Sequence, residues 1–148
     1  MEDMVVLSDY PDIPRGAERT PFTVIPELTA VYSPFEDPHT GVVRSDQEWM
    51  DHRVSFGGPD GPVPDVAVDF QTEMVLTVAI GYRSSGGYAA EVEGVFVAGG
   101  ELFVAVLETR PGDGCMTSMA LTAPTTAVRL GSFAGPIHFV ERVFTKPC

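Results

Sequence analysis

The sequence is poor in basic residues and has no long apolar run. Nine Lys and Arg residues stand against 21 Asp and Glu residues, and the formal net charge is −12. Such a chain repels phosphate backbones, so the composition argues against nucleic-acid binding. No apolar run reaches the roughly 18 residues of a membrane helix. The first ten residues also lack the basic and apolar regions of a signal peptide, so none is expected in this numbering.

The sequence also lacks the motifs of the common enzyme classes. It contains no G-x-S-x-G elbow, no P-loop and no dinucleotide-binding fingerprint. None of the three histidines, His39, His52 and His138, stands beside a plausible nucleophile. Glu48 and His52 lie four residues apart, a spacing that can hold a metal, but the second histidine of a zinc-protease motif is missing. We therefore expect a surface pair at that position, no enzyme activity, no cofactor and no metal.

The composition that remains favours one domain preceded by an arm. The chain has 148 residues, 44% of them hydrophobic, which is enough to bury about two thirds of the unfolded surface. Residues 1–41 hold six of the 13 prolines, so we expect an arm packed on the domain, with short edge strands at residues 4–7 and 22–25. Residues 42–148 are expected to form a single β domain. The acidic residues concentrated in 1–73 predict a solvated surface or, alternatively, a docking face for a basic partner.

Alternating apolar residues predict a mostly β fold, an antiparallel β-sandwich or a strongly bent sheet. The predicted strands are residues 66–70, 74–80, 88–97, 102–109, 126–130 and 137–144, with the second, third and fourth forming a meander. Strands 74–80 and 102–109 are apolar on both faces. This predicts cover on both sides, either from a second sheet or from a helix together with the arm.

One main helix is predicted near residues 45–54. Ser45 and Glu48 have the spacing of a capping box, in which each side chain satisfies a free amide of the first turn. Trp49, Met50 and Val54 are expected to form its buried stripe.

Two turns of the predicted meander differ in kind. Gly99-Gly100 is a tight hairpin turn that requires positive φ, whereas residues 81–87 are more than a hairpin needs. Glycine allows close approach of a partner, and Arg and Tyr are enriched at interface hot spots. We therefore assign partner binding to this loop and the residue after it: Tyr82, Arg83, Ser84, Ser85, Gly86, Gly87 and Tyr88. The alternative is that the glycines permit a bulge and Tyr88 caps the core.

Cys115 and Cys148 are the only cysteines. A bridge between them would stabilise the fold by about 3–4 kcal/mol on the loop-entropy estimate and would fix the C-terminus. The alternative is two free thiols, buried at Cys115 and loose at Cys148. We predict the bridge and, with it, an oxidising compartment.

Several motifs resemble the PrcB C-terminal domain family. They include the run PDVAVDFQTEMVL at residues 64–76, Gly81-Tyr82-Arg83, Gly86-Gly87-Tyr88, and the later runs RPGDGC at 110–115 and LTAP at 121–124. Residues 42–49 are similar to a segment often found upstream, so the resemblance covers about residues 42–144. Ser84-Ser85 stands where the family commonly has Pro-Thr, which makes the loop less stiff.

The resemblance implies a non-catalytic, exported bacterial protein located in the periplasm, at the cell surface or outside the cell. The family is named for a subunit of a cell-surface protease complex. The implied function is a protein-binding module that docks on or stabilises a protease or another envelope protein through residues 82–88. Two alternatives are a purely structural domain and, from a distant likeness of the loop to chagasin-type inhibitors, an inhibitor of papain-like proteases.

Overall fold

The chain folds as two stacked β-sheets, in a computed structural model that describes residues 9–33, 35–57 and 66–148. Strands account for 46% and helix for 9%, so the predicted mostly β fold is confirmed. In chain order the elements are β1 (Glu18–Arg19), β2 (Phe22–Val24), a 3₁₀-helix (Pro26–Leu28), β3 (His39–Val43), α1 (Asp46–Gly57), β4 (Glu73–Ala79), β5 (Ala89–Ala98), β6 (Glu101–Pro111), β7 (Thr125–Gly131) and β8 (Ile137–Lys146).

Each sheet has four strands, and the chain passes from one sheet to the other after β1, β4, β6 and β7. The first sheet has the order β1-β5-β6-β8 and the second the order β2-β7-β4-β3. All neighbours are antiparallel except β6 and β8, which are parallel. The arm supplies β1 to one sheet and β2 to the other.

The predicted three-strand meander is wrong in one respect. β5 and β6 form the expected hairpin, and its turn has positive φ at Gly99 (58°) and Gly100 (78°). However, β4 pairs with β3 and β7 in the second sheet. The long turn after β4 therefore crosses from one sheet to the other. Packed sheets lie about 10 Å apart, which explains why this connection is longer than a hairpin turn.

The main core lies between the two sheets. It is built from alternate residues of the inner strands, which point to the same side because side chains in a strand alternate. Six of its members, from β4 and β6, are at most 2% exposed: Met74, Leu76, Val78, Leu102, Val104 and Val106. The core is closed at its margin by half-buried aromatic residues, among them Phe133 and Phe139.

The outer faces of both sheets are covered as well. Tyr10 and Ile13 of the arm pack on Phe103 of the first sheet. Trp49 of α1 packs on Val75 of the second sheet. Both predicted kinds of cover therefore explain the strands that are apolar on two faces. Each sheet packs on the other sheet with one face and on the arm or the helix with its other face.

Helix α1 begins with the predicted capping box. The Glu48 amide donates to Ser45 Oγ at 3.2 Å, and Glu48 Oε1 accepts a bond from the Arg44 amide at 3.0 Å. The helix continues to Gly57, three residues beyond the predicted end. Trp49 is buried, but Met50 is 58% exposed, so its assignment to the buried stripe is wrong. Successive helical residues are about 100° apart, so the residue after buried Trp49 points away from the sheet.

Some predicted elements fail. Residues 66–70 form no strand: Val66 and Phe70 pack beside Trp49, and the chain then turns. Strand β3 was missed because Gly41 interrupts its pattern. A Cβ at Gly41 would lie 2.6 Å from Thr77 Oγ1 on the paired strand, so the strand needs glycine there. The strand predicted at residues 4–7 and the side chain of Val54 lie outside the described residues.

Among the helices that the structure describes, none has the length and apolarity to cross a membrane.

Candidate functional site

The long loop after β4 is held against the segment after β6 at one end of the sandwich. Arg83 and Thr122 exchange two backbone hydrogen bonds, 2.8 and 2.9 Å long. The Gly86 amide donates to the Ser118 carbonyl at 3.0 Å, and Thr122 Oγ1 donates to the Ser85 carbonyl at 2.8 Å. The two segments therefore form one surface, although about 30 residues separate them in the chain.

A third segment, from the arm, completes this surface. The Ala123 amide donates to the Val31 carbonyl at 2.8 Å, and the Tyr82 amide donates to the Glu36 carbonyl at 3.0 Å. We call the surface formed by residues 31–33, 81–88 and 111–123 the loop end.

Glycines let the loop come this close. Gly81 and Gly87 have φ values of 85° and 91°, which side chains rarely adopt. A Cβ at Gly87 would lie 2.9 Å from Thr117 Cγ2, and a Cβ at Gly86 would lie 2.5 Å from Ser118 Oγ. In the adjacent pair Gly86-Gly87, Gly87 has a positive φ and Gly86 does not. The close approach that these glycines permit is to the chain's own 111–123 segment.

Arg83 is bound within the chain. Its Nε and Nη2 donate to the two carboxylate oxygens of Glu108, each at 3.1 Å, and Arg110 Nε donates to the same carboxylate at 2.8 Å. The Arg83 guanidinium also lies 5.8 Å from the centre of the Tyr88 ring. Arg83 therefore fixes the loop to β6, while its role in partner binding stays a prediction.

Glu108 is a buried carboxylate on the core side of β6, with a side chain only 7% exposed. Burial by itself raises the pKa of Glu108. The hydrogen bonds and charges of Arg110 and Arg83 outweigh burial and hold the pKa below its ordinary value. Glu108 was not among the predicted site residues. A signal was present, because Glu108 is the one charged residue in the apolar run at 102–108 and the alternation of a strand places it on the same face as Val106.

Apolar side chains project from the loop end into solvent. Tyr82 is 45% exposed, as the prediction for the loop requires, and Ser84 and Gly87 are exposed as well, whereas Ser85, Gly86 and Tyr88 are half-buried. The most exposed group was not predicted and lies in residues 115–122, where the apolar residues follow no regular period: Met116 (101%), Met119 (91%) and Leu121 (56%). Tyr32 adds a further exposed ring.

The predicted disulfide is confirmed. Cys115 and Cys148 are bonded, with their Cα atoms 5.1 Å apart. The bond ties the 111–123 segment to the residue that follows β8 and Pro147. Next to it, the Cys115 amide donates to the Gly112 carbonyl at 3.2 Å, which closes a turn. Met116 thus projects from a segment held by covalent and backbone bonds.

The histidines lie elsewhere. Glu48 caps α1, but His52 is half-buried, its ring centre 5.8 Å from that of His39, so the predicted surface pair is wrong. Burial, together with the charge of His39, lowers the pKa of His52. Within the described residues no three His, Cys, Asp or Glu side chains group closely enough to hold a metal ion.

Comparison with known proteins gives one match. No curated protein and no solved structure matches the chain. The family model described as PrcB C-terminal matches residues 74–130, which run from β4 to β7 and include the 81–88 and 111–123 segments of the loop end. The matched stretch is shorter than the resemblance of the motifs, which covers about residues 42–144. The match confirms the resemblance to the PrcB C-terminal family over residues 74–130.

Proposed function

We propose that the protein is a non-catalytic, exported binding module that docks through its loop end on another envelope protein, with a protease as the first partner to test. The observation that supports this most is the pair Met116 and Met119, which are almost wholly exposed on a segment held at both ends. Tyr82 and Leu121 extend the apolar surface.

Exposed apolar side chains that share one surface are typical of interaction sites, whereas single ones are common everywhere. Methionine suits such a site because its unbranched, polarisable side chain adapts to an irregular partner surface. The disulfide and the Gly86–Ser118 backbone hydrogen bond fix the conformation of the 111–123 segment before any partner binds. A preorganised surface of this kind loses less conformational entropy on binding.

The chemistry of the loop end supports binding rather than catalysis. The buried carboxylate of β6 that holds Arg83, Glu108, has both oxygens bonded to guanidinium groups and a pKa that favours the ionised form. A general acid or base needs a free lone pair or proton near the reacting group. Glu108 is already occupied by Arg83 and Arg110, so it serves as a fixed structural charge.

The disulfide supports export. Bonds of this kind persist in oxidising compartments such as the periplasm and the cell surface and are rare in the cytosol. The partner sought is accordingly a protein of the envelope or the extracellular space.

A protease inhibitor is the second candidate. The observation that favours it is that three separate segments converge at one end of a sandwich, an arrangement that can enter a cleft. Inhibition of a papain-like protease by the isolated chain would distinguish this role from docking that leaves activity intact.

The test compares the double variant Met116→Ser/Met119→Ser with the control Met50→Ser. Met50 is also exposed, but it lies on α1, which covers the second sheet. A photo-crosslinking residue at position 121 would identify the partner in the native envelope fraction, and calorimetry with the purified partner would then measure affinity.

We expect the double variant to bind at least about tenfold more weakly, the equivalent of 1.4 kcal/mol. Met50→Ser should bind as the natural sequence does, and both variants should unfold within about 0.5 kcal/mol of it, since their side chains are exposed. Equal affinity of all three proteins would refute docking through Met116 and Met119. Failure to crosslink any partner would favour the purely structural alternative.

A further inference from the structure

Strand β8 forms a long, regular edge of the first sheet. It pairs with β6 through ten consecutive residue pairs without a register shift, and no other strand of the described residues pairs with its far side. The other edge strands are short, with two residues in β1, three in β2 and five in β3. Proteins usually blunt exposed edges by shortness, bulges, proline or charged side chains. Strand β8 has no proline or glycine between Ile137 and Lys146, although it carries charged side chains at Glu141, Arg142 and Lys146.

Two hydrogen bonds fix which backbone groups of β8 face the free edge. The Leu102 amide donates to the Pro136 carbonyl at 2.9 Å, and the Gly112 amide donates to the Lys146 carbonyl at 3.0 Å. Because the backbone groups of successive residues point to opposite sides of a strand, the even-numbered residues of β8 face β6. The odd-numbered residues direct their N–H and C=O groups outward along about 30 Å: Ile137, Phe139, Glu141, Val143 and Thr145.

The C-terminal half of this edge exposes one large apolar side chain on each face. Val143 is 48% exposed on the core-facing side and Phe144 is 45% exposed on the other side. Lys146 lies opposite Pro111, where the 111–123 segment begins, and Phe144 lies opposite Thr109. The edge therefore runs directly into the loop end.

We propose that β8 accepts an extended segment of another protein, which adds a fifth strand to the first sheet. In this mode the backbone ladder supplies affinity and the side chains opposite the strand supply selectivity. The added segment lacks proline where it must donate to β8. On one face it carries an apolar residue opposite Val143 and a basic residue opposite Glu141. The proposal goes beyond docking through the loop end and does not depend on it.

A second copy of the chain fits this edge poorly. If two copies of β8 pair in antiparallel fashion, core-facing residues of one copy must lie opposite core-facing residues of the other. Two registers meet this condition with the greatest overlap of the strands, and they place Glu141 opposite Glu141 or Arg142 opposite Arg142. Like charges directly opposite destabilise a sheet, and the net charge of −12 adds general repulsion between copies. A segment of a different protein meets neither penalty.

The test uses Val143→Pro, with Val143→Ala as the matched control. Proline at 143 removes an N–H that points outward and leaves the ladder with β6 intact, and edge strands tolerate proline at such positions. Alanine keeps the N–H and removes most of the side chain. The probe is a labelled peptide of about ten residues that alternates valine and threonine, with one lysine placed to oppose Glu141. Its binding is measured by fluorescence anisotropy.

We expect the peptide to bind Val143→Ala within about threefold of the natural sequence and Val143→Pro at least about tenfold more weakly. Replacing the peptide's lysine by glutamate should also weaken binding. Equal binding to Val143→Pro would overturn the proposal, as would light scattering that shows a dimer of the chain alone which Val143→Pro abolishes.

Hydrogen exchange tests the same proposal without any substitution. In the isolated chain the odd-numbered amides of β8 should exchange quickly and the even-numbered ones slowly. Adding the peptide should slow the odd-numbered amides alone. Odd-numbered amides that are already slow in the isolated chain would overturn the proposal, because the edge would then be covered.

Discussion

Replacing Arg83 with alanine should lower the free energy of unfolding by about 2–3 kcal/mol at pH 7. Arg83 makes two 3.1 Å bonds to the Glu108 carboxylate, whose side chain is 7% exposed. Removing the whole partner of a buried charge costs about 3–5 kcal/mol. Here Arg110 keeps its 2.8 Å bond, but its side chain is 47% exposed, so it offsets only part of that cost.

Urea unfolding followed by the emission of Trp49, the single tryptophan, measures this loss. The variants Arg83→Ala, Glu108→Gln and their combination form a double-mutant cycle, and we expect a coupling energy of about 1–3 kcal/mol. Arg15→Ala is the control: Arg15 is exposed, and its loss should change stability by less than about 0.5 kcal/mol.

Acid should reduce the effect of Arg83→Ala. The pKa of Glu108 is lowered in the folded protein, so its contribution to stability is present above the ordinary carboxyl pKa, about 4.3, and is lost as the pH falls through the lower folded value. The difference in stability between the natural sequence and the variant should therefore shrink progressively as the pH falls below the ordinary carboxyl pKa. A loss of less than about 0.5 kcal/mol at pH 7, or a difference that persists unchanged in acid, would refute the role assigned to this pair.

Two further predictions concern the disulfide and the buried histidine. Cys148→Ser should cost about 3–4 kcal/mol in urea unfolding. The natural protein, unfolded without reductant, should show no free thiol on titration, and two reactive thiols would contradict the bond. The pKa of His52 is lowered in the folded state, so stability should fall as the pH drops below about 6.5, because the unfolded chain then binds the extra proton. His52→Gln should flatten that part of the pH profile of the melting temperature, and an unchanged profile would rule out His52 as its source.

Local patterns predicted the elements whose cause is local. The alternation at residues 137–144, the Gly99-Gly100 turn and the capping box at Ser45 each reflect forces that act within a few residues. The pairing of β4 depends on distant residues, because an alternating apolar pattern does not specify which strand lies beside it. For the same reason the sequence predicted both faces of β4 to be buried without indicating that β5 lies in the other sheet.

The loop end shows the same limit. The 81–88 loop stood out through its length and glycines, and the exposure of Tyr82 agrees with that prediction. Arg83 was assigned to partner binding without any sign that it binds Glu108, 25 residues further along the chain. Met116 and Met119 gave no periodic signal because they lie in an irregular segment whose shape is set by the disulfide and by hydrogen bonds to Gly86 and Arg83.

The two short strands of the arm set the order in which this chain can fold. Arg19 pairs with Phe96, and Phe22 pairs with Leu130, so the first strands must wait for residues made much later. Folds dominated by such distant pairings form in milliseconds to seconds, far more slowly than helical bundles of similar size. Synthesis at about 5–20 residues per second would still leave the arm unpaired for several seconds. During that interval β1 and β2 have no strand to pair with, so neither sheet can be completed.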